Sequence, residues 1–140
     1  MARIITRKLD IIPEFKEFDM MGVAHNLAYF NWFERGRFQI FDDIMPMSEF
    51  LENNIAVVVC ENSCKDFEPI TFSQKFTLIT RHKINDFYSG KLEFTHELVN
   101  KKSKHTHAQG TCICAIVDLQ TNKLTKEFPE YLIQKYNSLK

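Results

Sequence analysis

Little in this sequence interrupts it. Its 140 residues include four glycines and four prolines. No repeat, low-complexity tract or Pro/Gly/Ser-rich linker divides them, so residues 1–140 are expected to form one domain. At this length about two-thirds of the unfolded chain's surface can be buried, enough for one core. No apolar stretch is long enough for a signal peptide or a spanning helix, and the run from Met1 to Phe18 is broken by charges. The expectation is a cytoplasmic protein with no membrane partner. Net charge is missing too: 18 basic and 18 acidic residues cancel. That removes the long-range field that would draw nucleic acid or an anionic membrane, so an anionic substrate has to be met by local cations. The four cysteines form neither a CxxC pair nor a dense disulfide framework. Cys60 and Cys64, like Cys112 and Cys114, sit at even spacing in apolar runs, which places each pair on one side of a strand as thiols. No metal and no cofactor are expected.

What the chain has in quantity is phenylalanine, 13 of its 18 aromatic residues, the filling for a sheet packed on a helix. The longest helical pattern runs from Asn26 to Ile44: Tyr29, Phe30, Phe33, Gly36, Ile40, Phe41 and Ile44 recur at helical spacing, with Asn31, Arg35, Gln39 and Asp42 opposite. Leu27, Ala28 and Trp32 leave few polar positions in its first turns, so this helix is enclosed, with Asn26 as its N-cap. After Met45-Pro46 the pattern turns to strands. Lys91–Val99 alternates cleanly, and further strands are expected at Ile55–Cys64, Phe72–Ile84 and His107–Leu119, with turns at Asp86–Gly90 and Asn100–His105. Short connections predict an antiparallel meander. A first strand ending near Phe18 precedes the long helix, and a short C-terminal helix starts at Pro129. The fold class is α+β, a long helix wrapped by an antiparallel sheet. Ile79, Ile113 and Val117 share the outer face of that sheet, and its open edges predict self-association.

The segment from Phe18 to Arg37, FDMMGVAHNLAYFNWFERGR, carries the chemistry. It has an Asp (Asp19), a Gly three positions on (Gly22), a polar pair at the sixth and seventh positions (His25, Asn26) and an aromatic at the tenth (Tyr29). An aromatic-Glu-Arg-small-Arg stretch (Phe33–Arg37) follows. This pattern resembles the 4-hydroxybenzoyl-CoA thioesterase-like hotdog proteins, in the acyl-CoA thioesterase branch with an aspartate before the helix. The resemblance implies a hotdog fold of five antiparallel strands around a long central helix, with a short C-terminal helix. It also implies hydrolysis of acyl-CoA, Asp19 as nucleophile or general base, and the Asn26 amide as a donor to the thioester carbonyl. Gly22, Tyr29, Arg81 and Lys83 are the candidate substrate-binding residues. The assembly implied is a homodimer or a dimer of dimers, each site near a subunit boundary, and acyl-carrier protein is an alternative carrier.

Physical chemistry supports the pattern separately. Attack on a thioester creates an oxyanion, and the N–H groups at a helix N-terminus, with their partial positive charge, are suited to stabilise it. Gly22 allows a tight reversal between carboxylate and amides. An isolated Asp before a helix would otherwise be read as an Asx turn. His25 either orients water or substrate or is a polar residue of the helix start. Glu34 is read as a partner for Arg37 three residues on rather than as a catalytic acid. For coenzyme phosphates, Arg81 and Lys83 share one strand face, and Lys101, Lys102 and Lys104 form a second cluster. His96 alternates with apolar residues and is expected to be a hydrogen-bonded core histidine. The alternative function is an acyl-CoA or acyl-carrier-protein binding module without catalysis. A hotdog dehydratase fits less well, since no helix histidine with a nearby acid is evident.

Overall fold

The computed structural model describes residues 3–84 and 87–139. Strand β1 (Arg3–Ile11) leads to the long helix α1 (Asn26–Ile44) and a short α2 (Met47–Glu52). Four long strands follow: β2 (Ile55–Asp66), β3 (Phe76–Ile84), β4 (Lys91–Asn100) and β5 (Thr106–Asp118). A two-residue β6 (Lys123–Leu124) and α3 (Glu130–Ser138) close the chain. All pairings are antiparallel, in the order β1-β3-β4-β5-β2, with β6 added beside β5. Thus β3, β4 and β5 form the predicted meander, but β2 does not join it through β3. Instead α1 carries the chain from one edge of the sheet to the other, so β2 pairs with β5. Residues 67–75 then return as a strap over one end of the sheet.

Strand alternation decides which residues meet the helix. Phe76, Leu78, Thr80 and His82 of β3 face inward with Leu92, Phe94, His96 and Leu98 of β4, while Ile79, Ile113 and Val117 stay partly exposed on the outer face. Helix and sheet meet closely at Gly36, where an added Cβ would strike the Thr80 hydroxyl and lie 2.9 Å from Leu78 Cδ2. The core has two parts. Around the first turns of α1, Ala28, Tyr29, Trp32 and Phe33 pack with Ile11, Ile70, Phe76 and Leu78. Around its last turns, Ile40, Phe41 and Ile44 pack with Phe50, Phe94, Phe128 and Tyr136.

Several boundaries differ from expectation. The first strand stops at Ile11, because Pro13 cannot donate to a ladder and residues 15–17 form a 3-10 turn whose Glu17 carboxylate accepts the Glu14 N–H at 2.7 Å. β3 begins at Phe76 rather than Phe72: Ser73 has φ +80°, and the Gln74 side chain accepts the Thr71 N–H. His25, not Asn26, is the N-cap of α1. A bulge between Val59 and Glu61 shifts the register, so Cys60 is exposed while Cys64 is half-buried, and that pair does not act as one face. Cys112 and Cys114 do share the inner face, with their sulfurs 3.6 Å apart. The Asp86–Gly90 turn lies partly outside the described residues. Among those described, no helix is long and apolar enough to cross a membrane.

Candidate active site

The candidate site is built where the loop before α1, the start of α1 and the strap after β2 converge. The loop is a tight reversal: Phe18 bridges Ala24, Asp19 N–H donates to Val23 O (2.9 Å), and Gly22 N–H donates to Asp19 O (3.0 Å). Gly22 sits at φ +76°, in the left-handed region open to glycine at little cost. The strap holds the loop from the other side, with Val23 bridging Thr71 and Ala24 N–H donating to Ile70 O (2.9 Å).

Asp19 forms the Asx turn that its sequence context suggests: its Oδ1 accepts Met21 N–H at 2.8 Å and Val23 N–H at 3.4 Å. That turn orients the carboxylate rather than consuming it, since Oδ2 has no hydrogen-bond partner among the described residues. Beside it, α1 begins with donors to spare. His25 caps the helix through its backbone alone, with its N–H on Glu17 O (3.1 Å) and its C=O accepting Ala28 N–H (3.0 Å). The Asn26 and Leu27 amides have no partner among the described residues, and no acidic residue in the first turn offsets their positive end of the helix dipole.

Asp19, His25, Asn26 and Tyr29 line one cavity of about 440 Å3, together with Asp66 and Glu68 of the strap. His25 Nδ1 is buried and unpartnered among the described residues, so this ring still has a nitrogen to offer. Tyr29 is only 3 % exposed. Burial, and then the nearby Asp66 carboxylate and Cys64, push its hydroxyl up to about 12. Cys64 donates its S–H to Asp66 Oδ1 (3.2 Å), and burial followed by that bond pushes the thiol up to about 12. At neutral pH both remain protonated, so Cys64 is a poor nucleophile. Glu68 is held by two histidines, His105 Nδ1 at 3.1 Å and His107 Nε2 at 3.4 Å.

Sequence reasoning passed over Asp66 and Glu68. They lie beyond the predicted end of β2, in a segment without periodicity. The one local signal, two acids flanking Phe67 just before Pro69, does not say which surface the strap covers. Gly22 shapes the loop but does not line the cavity. Arg81 and Lys83 lie on the face of the sheet away from α1, where Arg81 pairs with Glu97 at 3.4 Å and Lys83 stands opposite Glu93 in the ladder. Within one chain they do not join the site. Lys101 and Lys102 line a second cavity on the other side of the strap.

Glu34 is exposed and makes no ion pair with Arg37 among the described residues, contrary to expectation. Arg37 turns inward, is 4 % exposed, and donates to His96 Nε2 at 3.4 Å. His96 has Thr80 Oγ1 at 3.0 Å from its Nδ1 and stacks on Phe33 at 4.7 Å, the core histidine expected of it. Among the described residues, no three His, Cys, Asp or Glu side chains converge as a metal site.

Comparisons with known proteins bear on this arrangement. The model of the thioesterase-like superfamily matches residues 13–135. No curated protein matches the sequence, but solved structures match the fold over nearly its whole length. DHNA-CoA thioesterase from Staphylococcus aureus superposes with a TM-score of 0.79 at 18 % identity, covering 94 % of this chain and 89 % of its own. A 1,4-dihydroxy-2-naphthoyl-CoA thioesterase from Synechocystis gives 0.79 at 12 % identity, with 96 % and 97 % covered. A 4-hydroxybenzoyl-CoA thioesterase, an aspartate-to-asparagine mutant complexed with 4-hydroxybenzoyl-CoA, gives 0.76 at 12 % identity, with 93 % and 97 % covered. With a family match across most of its length and the strand order described above, the chain belongs to the thioesterase-like superfamily and is a thioester hydrolase of hotdog fold.

Proposed function

We propose that the chain hydrolyses acyl-CoA thioesters to a carboxylic acid and free coenzyme A, with Asp19 as the reacting carboxylate. The observation that carries this reading is one cavity shared by Asp19 and the start of α1, where two amides are unspent. A thioester carbonyl oxygen at those amides would gain hydrogen bonds and the helix field as it becomes an oxyanion. Asp19 Oδ2 then has two routes. As a base it takes a proton from a water whose oxygen attacks the carbonyl carbon; as a nucleophile it attacks directly, and water cleaves the resulting anhydride. In either route the C–S bond breaks as the oxyanion collapses, and the thiolate leaves to be protonated. His25, with its unpartnered Nδ1, can hold that water or the leaving group.

The active unit is a homodimer or a dimer of dimers. Two features support this: β2 is an edge strand with Val58 and Val59 exposed, and Leu27 in the first turn of α1, next to the cavity-lining Asn26, is 70 % exposed. A partner on that edge would complete the acyl wall. Hydrolysis assayed across acyl-CoA and acyl-carrier-protein substrates, with Asp19→Ala in parallel, tests the activity. A protein that binds acyl-CoA but cleaves none of them is the binding module instead. Light scattering joined to activity over a dilution series tests the assembly, and a fully active monomer would contradict the shared site.

A further inference from the structure

The strap that covers the start of α1 has a second side. Its turn and the β4–β5 turn enclose an open basin of about 880 Å3, twice the volume of the Asp19 cavity, lined by Phe72, Lys75, Asn100, Lys101 and Lys102. The turns are tied together by Lys101 N–H on Lys75 O (2.9 Å), so the backbones that carry the lysines are held side by side. Asn100 Oδ1 accepts the amides of Lys102 (2.8 Å) and Ser103 (3.1 Å), which leaves the side chains as the positive groups. Lys101 is held by Asp10 at 2.6 Å, whereas Lys75 and Lys102 make no ion pair among the described residues. Phe72 is 57 % exposed and stands edge-on to Phe15 and Phe18, at ring-centroid distances of 6.0 and 5.6 Å.

A flat ring fixed at its edge beside unpaired lysines suits a ligand with a planar base and phosphates. The basin also adjoins the catalytic loop, since its Phe72 meets Phe18, the residue before Asp19, and follows Thr71, which bridges Val23. By contrast, among the described residues three carboxylates and no Lys or Arg line the Asp19 cavity, which would repel phosphate. We infer that the basin receives the nucleotide end of the coenzyme, with phosphates on Lys75 and Lys102 and adenine against Phe72, while the thioester lies across the strap at Asp19. This placement rests on the acyl-CoA hydrolase reading of the Asp19 site.

The test compares one acyl group carried on coenzyme A and on pantetheine, which lacks the nucleotide. In Lys75→Glu/Lys102→Glu, and in the milder Lys102→Gln, KM for acyl-CoA should rise while kcat and both constants for acyl-pantetheine hold. The charge-reversed pair should raise that KM by about tenfold or more, the scale of a lost charge-assisted contact. Adenosine 3′,5′-bisphosphate should compete with acyl-CoA in the wild type and lose that competition in the variants. Unchanged KM values, equal rises for both substrates, or a rise confined to Arg81→Ala and Lys83→Ala would each overturn the placement. If the wild type cleaves neither substrate, the hydrolase reading fails on its own. Calorimetry with adenosine 3′,5′-bisphosphate then still decides the basin: binding lost in the variants supports it, and no binding to the wild type sinks it.

Discussion

The two ends of α1 are made of the same backbone and left in opposite states. At its C-terminus, Met45 N–H closes on Phe41 O at 2.7 Å, and Ile44 and Met45 are buried under Phe50, Phe128 and Tyr136. Tyr136 is fixed there by its hydroxyl, 2.9 Å from His82 Nε2, so α3 seals that end. At the N-terminus two amides find no partner among the described residues, the cap residue contributes no side-chain bond, and a cavity opens beside them. An uncapped start costs a helix about 1 kcal/mol. The packed end can carry that cost, and the field of the open end remains available for charge that develops only during reaction. One element thus divides stability from chemistry, and each half can be broken without the other.

The largest effect is expected at the open end. Asp19→Ala or Asp19→Asn should lower kcat by about two to four orders of magnitude, the scale for a positioned base, with the fold intact and only a small fall in melting temperature where Ala removes the turn's acceptor. Near wild-type turnover by the folded variant would remove Asp19 from the mechanism. At the sealed end Phe41→Ala should do the reverse. Phe41 packs on Phe94 at 5.4 Å and Phe50 at 6.0 Å, so its loss should cost about 3–5 kcal/mol of stability. Below its lowered melting temperature the variant should keep its kcat, and a loss of turnover in the folded state would show that the two ends are coupled.

Much of this division could be read from the chain because it is local. Asp19, Gly22, His25, Asn26 and Tyr29 follow one another through one turn and one helix start, so spacing alone brings four of them to one cavity and sets Gly22 at the reversal. α1 and β4 were equally legible, since their periodicity reports a buried face directly. Partner choice between strands was not. Whether β2 pairs with β3 or β5 depends on where α1 carries the chain, and no local pattern encodes that. The strap, and with it Asp66, Glu68 and the lysine basin, follows from that crossing. Arg37 was misread for a similar reason: spacing put Glu34 within reach, but a tertiary contact with His96 drew the guanidinium inward.

Acid should loosen the packing between the helices and the inner face of the sheet, where His82 meets Tyr136 and His96 meets Phe33. Burial pushes His82 down to about 4, and burial with the added charge of Arg37 pushes His96 down to about 3. The unfolded chain takes up both protons near pH 6.5. The folded values lie below the unfolded one, so stability from the neutral rings is full above pH 6.5 and is lost as pH falls toward 4 and then 3, by roughly 1 kcal/mol per pH unit and histidine. Melting curves from pH 8 to 4 check this, and a flat profile below pH 6.5 would contradict neutral buried rings.

A smaller change would close the open end. In His25→Asp, a carboxylate at the N-cap can accept the spare amides, which should raise stability by about 0.5–1 kcal/mol. The same carboxylate opposes an oxyanion at those amides, so kcat should fall about tenfold or more even as the melting point rises. Both quantities moving in the same direction would mean that the free amides are not what the reaction uses.

The smallest effect is expected midway along the helix. Glu34 is exposed, lines neither described cavity and makes no ion pair with Arg37 or any other cation among the described residues. Among the described residues its charge meets others only through solvent, where a single exposed carboxylate is worth about a few tenths of a kcal/mol. Glu34→Gln should therefore leave kcat within about twofold and shift stability by less than about 0.5 kcal/mol. That separates two readings of one helix. If Asp19 reacts, a carboxylate two turns beyond the amides has no part in the chemistry, and the variant is silent. If turnover vanishes while the melting temperature stays put, the reacting acid is on the helix, and the open N-terminus would no longer be the place where the thioester is cleaved.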